Sequence, residues 1–245
     1  MTDLLPRTGD RTLWVAETFV SVQGEGPSLG RRALFVRLSG CHLSCVWCDT
    51  PYTWDKGRFD LAAERRAVDV DDLVSTFLEQ RADLVVVTGG EPLLQQPALV
   101  NFLQRLAAEG GGCRVEVETS GTLEPRADLV ELVTVFNVSP KLAHSGLAEH
   151  RRVRPKPLWA LRDTGKVVWK FVVTGPPDLD EVSELLTQIG AGSDGWGGPV
   201  WVMPEGTTGE LVLERLRALA APVIQRGWNL TPRLHILLWG DERGR

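Results

Sequence analysis

Long apolar runs are missing from this 245-residue chain. No stretch approaches the roughly 18 apolar residues that a membrane span needs. The opening MTDLLPRTGD carries an early acid and an early proline and lacks the apolar centre of a signal peptide. An excess of positive charge is missing too. The formal net charge is -5, which argues against a nucleic-acid-coating surface. No repeat or low-complexity tract stands out. These absences predict a cytoplasmic protein with neither a membrane nor a nucleic-acid partner. Cysteine is scarce: there are four, and three of them lie between Cys41 and Cys48 while Cys113 stands alone. Cysteines so close together cannot staple distant parts of a fold, and in a reducing compartment such a group binds metal or does redox chemistry.

What is present reads as an ordinary globular chain, with 43% hydrophobic and 24% charged residues. Its length suits one large domain or two small ones. Nine tryptophans point to packing or ligand stacking and no further. Short segments rich in valine, leucine and aromatics predict strands at Trp14–Val20, Leu34–Leu38, Leu84–Val87, Arg114–Val117, Val133–Val138, Lys166–Val173, Val200–Val202 and Leu234–Trp239. Three- and four-residue apolar spacing predicts helices at Val70–Arg81, Gln95–Glu109, Leu179–Ile189 and Gly209–Ala221. The basic, proline-containing stretch 142–165 reads as a loop excursion. Strand and helix alternate, as in a parallel α/β sheet. Polar clusters follow several strands at their carboxyl ends, where such sheets place ligands. With about six helix-linked parallel strands, a partial, open TIM-like barrel with helices outside is expected, its cysteine loop following the first barrel strand.

The loop Cys41-His42-Leu43-Ser44-Cys45-Val46-Trp47-Cys48 follows the predicted strand Leu34–Leu38. Three thiolates can ligate three irons of a [4Fe–4S] cube and leave the fourth iron open, and an open position marks a catalytic rather than a structural site. Two other readings stand beside it: a zinc knuckle with Cys113 or His42 as fourth ligand, and a merely reactive thiol group. Zinc sites usually add a second cysteine pair, which is absent here. Cys113, before a buried strand, reads as a small core residue.

The Cys-x3-Cys-x2-Cys loop, followed about forty residues later by Thr88-Gly89-Gly90-Glu91-Pro92, resembles the radical S-adenosylmethionine superfamily. In that superfamily the open iron holds S-adenosylmethionine, and one electron splits the sulfonium to give a 5′-deoxyadenosyl radical.

Further stretches narrow the resemblance: Gln23-Gly24-Glu25-Gly26, Phe35-Val36-Arg37-Leu38-Ser39-Gly40, Cys48-Asp49-Thr50, Glu118-Thr119-Ser120-Gly121-Thr122, Ser139-Pro140-Lys141 and Leu234–Gly240. Together they are similar to the 7-carboxy-7-deazaguanine synthase family over almost the whole chain. The resemblance implies a single radical S-adenosylmethionine domain over 1–245, with the N-terminal extension 1–30 forming part of the substrate site. It implies conversion of 6-carboxy-5,6,7,8-tetrahydropterin to 7-carboxy-7-deazaguanine with loss of ammonia, on the path to preQ0 and queuosine. It also implies Mg2+, a homodimer, and an electron donor such as flavodoxin or ferredoxin.

Residue by residue, it gives Cys41, Cys45 and Cys48 to the cluster and Thr50 to Mg2+. It gives Gln23, Gly24, Glu25, Arg37, Thr88 and His235 to the substrate, and Gly90, Glu91, Glu118, Ser139 and Lys141 to S-adenosylmethionine. Plainer roles exist for several. Gln-Gly-Glu-Gly could be an ordinary turn, Thr50 a turn residue, Arg37 half of an ion pair, Lys141 a solvated charge and His235 a satisfied core histidine. His42 and Ser120 depart from the family, which commonly has Asn at both places. A glycyl-radical activating enzyme shares the cysteine spacing and is the rival within enzymes. A zinc-stabilised binding module is the rival outside them.

Overall fold

A computed structural model describes residues 5–6, 9–109, 111–191 and 197–245. The opening residues 1–4, 7 and 8, which belong to the predicted extension, lie outside the described residues. The elements run β1 (Thr12–Val22), β2 (Arg32–Leu38), β3 (Arg66–Asp69), α1 (Val70–Gln80), β4 (Leu84–Gly89), α2 (Gln96–Glu109), β5 (Arg114–Thr119), α3 (Ala127–Leu132), β6 (Val135–Val138), α4 (Glu149–Arg152), α5 (Pro155–Asp163), β7 (Val167–Val173), α6 (Asp178–Ile189), β8 (Val200–Pro204), α7 (Gly209–Gln225), β9 (Asn229–Leu230) and α8 (Leu234–Trp239).

They build one sheet in the order β3-β1-β2-β4-β5-β6-β7-β8-β9. Pairing is antiparallel for β3, β1 and β2, and parallel from β2 to β9. The sheet ends on β3 at one edge and β9 at the other, so it is an open, mostly parallel α/β sheet, in accord with a partial barrel.

The period of two along each strand divides the sheet into two faces. Leu34, Val36, Leu38, Val85, Val87, Val115, Val117, Phe136, Val138, Trp169, Phe171, Val200 and Val202 belong to the main core under the helices. From the second helix Leu99, Phe102, Leu103 and Leu106 join them, all nearly free of solvent, as their shared helical face requires. The alternate residues line the concave face. At its base Ala33, Phe35, Leu84 and Val86 form a small apolar floor with Phe19. Towards the carboxyl ends the same face turns polar, with Arg37, Thr88, Glu118, Ser139 and Lys170.

Two sequence expectations are corrected. Leu234–Trp239 is helix α8, not a strand. A six-residue apolar run carries no decisive period. Here Leu237 and Gly240 donate backward within the turn to Arg233 O and Ile236 O, while Leu234 N donates to Gly24 O at 2.9 Å. The stretch 142–165 is not a plain loop, since it holds α4 and α5. Pro155 starts α5, where a missing N–H leaves nothing unsatisfied. The short elements β3, α3 and β9 were not expected, and α7 runs past its predicted end, through Pro222.

Candidate active site

The strand ends and the loops above them enclose a cavity of about 1180 Å3, counted with its mouth. Of the residues singled out in the sequence, Cys41, Cys45, Cys48, Thr50, Gln23, Gly24, Glu25, Arg37, Thr88, His235, Gly90, Glu118, Ser139 and Lys141 all line it. The three cysteines are unbonded to one another. Gln23, Glu25, Arg37 and His235 line the same cavity, and Asp49, next to Cys48, reaches their charged group through Arg233.

Glu91 is not among the lining residues. Its carboxylate is completely buried and accepts from Thr119 Oγ1 at 2.7 Å, from Ser120 N at 2.9 Å, from Ser120 Oγ at 2.5 Å and from Leu93 N at 3.1 Å. It ties the end of β4 to the end of β5 beneath the cavity. Hydrogen bonds to a charged group contribute about 1.5–3 kcal/mol each, and donors left unpaired add to the loss. Glu91→Ala is therefore expected to lower stability by at least about 3 kcal/mol, read by urea unfolding of the metal-free protein. A loss below about 1 kcal/mol would contradict the strut role.

The glycines of the second motif are needed for close approach. Gly89 has φ +126°, and a Cβ there would sit 2.1 Å from Leu38 O. A Cβ on Gly90 would sit 2.1 Å from Gly40 O and 3.0 Å from Cys41 Cβ. The motif therefore lies directly against the start of the cysteine loop. Gly24 plays a similar part beside α8, where a Cβ would meet His235 Nδ1 at 2.2 Å. Gly24→Ala should push His235 aside and lower kcat/KM roughly 10- to 100-fold, with unchanged S-adenosylmethionine affinity. A loss of cofactor affinity equal to that for substrate would place Gly24 elsewhere.

Charge is concentrated around Glu25. Lys170 Nζ donates to Glu25 Oε2 at 2.5 Å and to Glu118 Oε1 at 3.3 Å. Arg233 lies 3.6 Å and His235 3.9 Å from Glu25, and Arg233 also pairs with Asp49. Burial alone would raise the Glu25 carboxyl, but Lys170, His235 and Arg233 overcome it and hold Glu25 far below the ordinary carboxylate range. Burial would likewise discharge Lys170, and Glu118 and Glu25 reverse that, so its pKa is raised. Asp49, against burial, is held low by Arg233 and Arg37. The His235 imidazole is driven down by burial against the pull of Glu25.

Glu118 also accepts from Thr88 Oγ1 at 2.7 Å and Gln23 Nε2 at 3.4 Å. Arg37 donates through Nε to Glu17 at 2.7 Å and lies over Phe19. The ion pair considered for Arg37 exists, and the residue lines the cavity as well. Lys141 is not a free loop charge: it donates to Ser139 Oγ at 3.2 Å and lies 5.4 Å from the Trp47 ring centre. Lys170 and Arg233 escaped the sequence reading. The available signal was one lysine inside the apolar run VVWKFVV.

The sequence profile of the Radical SAM superfamily matches residues 35–162. A protein named 7-carboxy-7-deazaguanine synthase from Pyrobaculum aerophilum is 39% identical over 233 residues, 94% of this chain and 96% of that protein. One of the same name from Halobacterium salinarum is 38% identical, over 93% of this chain and 90% of its own length. The chain belongs to the 7-carboxy-7-deazaguanine synthase family of the Radical SAM superfamily. The crystal structure of QueE from Escherichia coli superposes with a TM-score of 0.67 at 27% identity, over 91% of this chain and 95% of that one. A radical SAM methyltransferase from Sphaerobacter thermophilus, at 19% identity and TM-score 0.55, shares the fold.

Members of this family use a [4Fe–4S] cluster, S-adenosylmethionine and Mg2+, and the residues present fit all three. Among the described residues no three His, Cys, Asp or Glu side chains converge as one zinc ion requires, whereas a cubane spreads its thiolates over separate irons. Burial, reinforced by Glu91, pushes the Cys41 thiol up to about 12, and burial raises Cys45 despite Lys141. Their protons leave only as iron binds. The Thr50 hydroxyl lines the cavity and, among the described residues, meets only Cys48 Sγ, at 3.7 Å. That leaves a hard oxygen for Mg2+, which takes few protein ligands. Gly90, Ser139 and Lys141 lie where S-adenosylmethionine would join the cysteine end. No helix among the described residues is long and apolar enough to cross a membrane.

Proposed function

We propose that this enzyme converts 6-carboxy-5,6,7,8-tetrahydropterin into 7-carboxy-7-deazaguanine and releases ammonia, and that the site residues other than the buried strut Glu91 carry the roles given to them by resemblance. The observation that supports this best is the polar wall built around Glu25. An ionised Glu25 accepts hydrogen bonds and donates none. It suits the amide and amino N–H groups on one edge of a pterin. Lys170, Arg233 and His235 keep that carboxylate ionised while it is buried.

Arg37 offers a planar donor to the substrate carboxylate, with its Nε fixed by Glu17. Thr50 would hold Mg2+ against the same carboxylate, a template role. Gln23, just past β1, and Thr88 of β4 brace Glu118 from two sides. Phe19, Phe35, Val172 and Met203 line the cavity with apolar surface and keep water from the reacting ring. When bound, the reduced cluster supplies the electron that splits the sulfonium of S-adenosylmethionine. The side chains of the cavity wall bind, orient and shield.

The N-terminal extension 1–30 belongs to the site through Gln23, Gly24 and Glu25. A homodimer, and a flavodoxin or ferredoxin as electron donor, are part of the same proposal on the strength of the family.

The test is direct. Anaerobically reconstituted protein with S-adenosylmethionine, Mg2+ and a reductant should turn the carboxytetrahydropterin into the deazaguanine, followed by mass spectrometry. A pterin that stays unchanged refutes the proposal. An activating enzyme for a glycyl-radical protein would cleave S-adenosylmethionine productively only with a protein partner, so turnover of the small pterin alone separates the two.

A further inference from the structure

We infer that the Trp54 indole sets the reduction potential of the cluster, acting through Cys48. The inference rests on the reading that Cys48 ligates iron. Trp54 Nε1 donates to Cys48 Sγ at 3.3 Å. The donor stands on a firm base. Trp54 closes the short 3-10 turn Pro51–Thr53, with its own N–H on Pro51 O at 3.1 Å. Thr53 in that turn is buried, and its carbonyl accepts from Gly40 N at 2.8 Å. The turn that carries the indole is thus tied to the residue just before Cys41.

A thiolate bound to iron carries negative charge, and an N–H aimed at it offsets part of that charge. The reduced cluster holds one electron more and gains more from the donor than the oxidised cluster does. Hydrogen bonds to the sulfurs are among the factors that place iron–sulfur potentials. The N–H of Trp54 therefore moves the potential upward and makes reduction easier. Cys41 takes a backbone donor from Leu43, which a side-chain exchange leaves in place. The bond to Cys48 comes from a side chain and can be varied alone.

Trp54 also lines the cavity, so ring packing must be separated from hydrogen bonding. Trp54→Phe keeps an aromatic ring and removes the N–H together with part of the indole's volume. Native and variant protein would be loaded anaerobically, their iron and sulfide measured, and their midpoints found by redox titration followed by electron paramagnetic resonance. The expected result is a full cluster in both, with the midpoint of Trp54→Phe shifted negative. At the poise that half-reduces the native cluster, well under half of the variant would be reduced. Equal midpoints overturn the inference. Native protein that assembles no four-iron cluster overturns the reading of Cys48 itself, and iron analysis shows this before any titration.

Should Trp54→Phe not fold, pulsed resonance on the reduced protein with 15N-labelled indole decides the matter. A nitrogen coupling retained in Trp47→Phe supports the hydrogen bond, and no coupling removes it.

Discussion

Lys170→Met should lose about 3–5 kcal/mol of stability, the usual effect of removing one partner from a buried ion pair, and roughly 100-fold in kcat/KM. Lys170 is buried and binds Glu25 and Glu118 at once. Without it two carboxylates face each other with Arg233 as the remaining cation near Glu25. Methionine fills the volume, so packing changes little. The sign of the pH effect follows from Glu25. Its carboxyl is held below the ordinary value in the folded protein, so this stabilisation is present above the unfolded carboxylate range and is lost as pH falls through the lowered value. In the variant the cation is gone and protonation relieves the carboxylate at higher pH. The stability gap between the two proteins should therefore narrow on acidification. Urea unfolding at neutral and acidic pH reads both effects. A neutral-pH loss below about 1 kcal/mol would remove Lys170 from its role as counter-ion.

Cys45→Ala is expected to abolish the cluster and all cleavage of S-adenosylmethionine, because two thiolates cannot hold a cubane with one open iron. The chain itself should survive. Cys45 packs in a small group with Leu43 and Leu147, apart from the main core, so the cost in folding is modest. Circular dichroism should stay native while the brown colour and the 5′-deoxyadenosine product vanish. Cys113→Ala is the control. Cys113 packs against the main core at the start of β5 and does not line the cavity. Its loss should leave iron and sulfide near four to four. A cluster lost in Cys113→Ala, or one zinc in the native protein, would reinstate the zinc reading.

How much of this could be read from residues alone follows from the physics of each case. The parallel strands were legible because one face of each is apolar and packs under helices. The site was legible wherever residues sit on a motif that resembles the family, as with the cysteine loop and Thr88–Pro92. Lys170 was hidden because a strand reading averages over seven residues, and one cation in VVWKFVV does not alter the average. Arg233 was hidden because it acts through Asp49 and Glu25, far away in sequence. Glu91 shares its motif with Gly90, yet its side chain is buried against Thr119 and Ser120 at the end of β5. Neighbours in sequence at a strand end face different ways, and composition does not say which. For α8 a short apolar run carries no decisive period, and the backward bonds of Leu237 and Gly240 to Arg233 O and Ile236 O show the helix.

The bond from Gly26 N to Thr231 Oγ1 spans 205 positions at 2.9 Å, and it joins the two chain segments that wall the substrate end. The cysteine loop depends on the same late segment, because Asp49, next to Cys48, pairs with Arg233. On the ribosome, where domains take shape from the N-terminus onward, the acid beside the third cysteine and the turn at Gly26 both wait for residues 231–233 to emerge. One short stretch of late-made chain therefore closes the thiol loop and the Gln-Gly-Glu-Gly turn together.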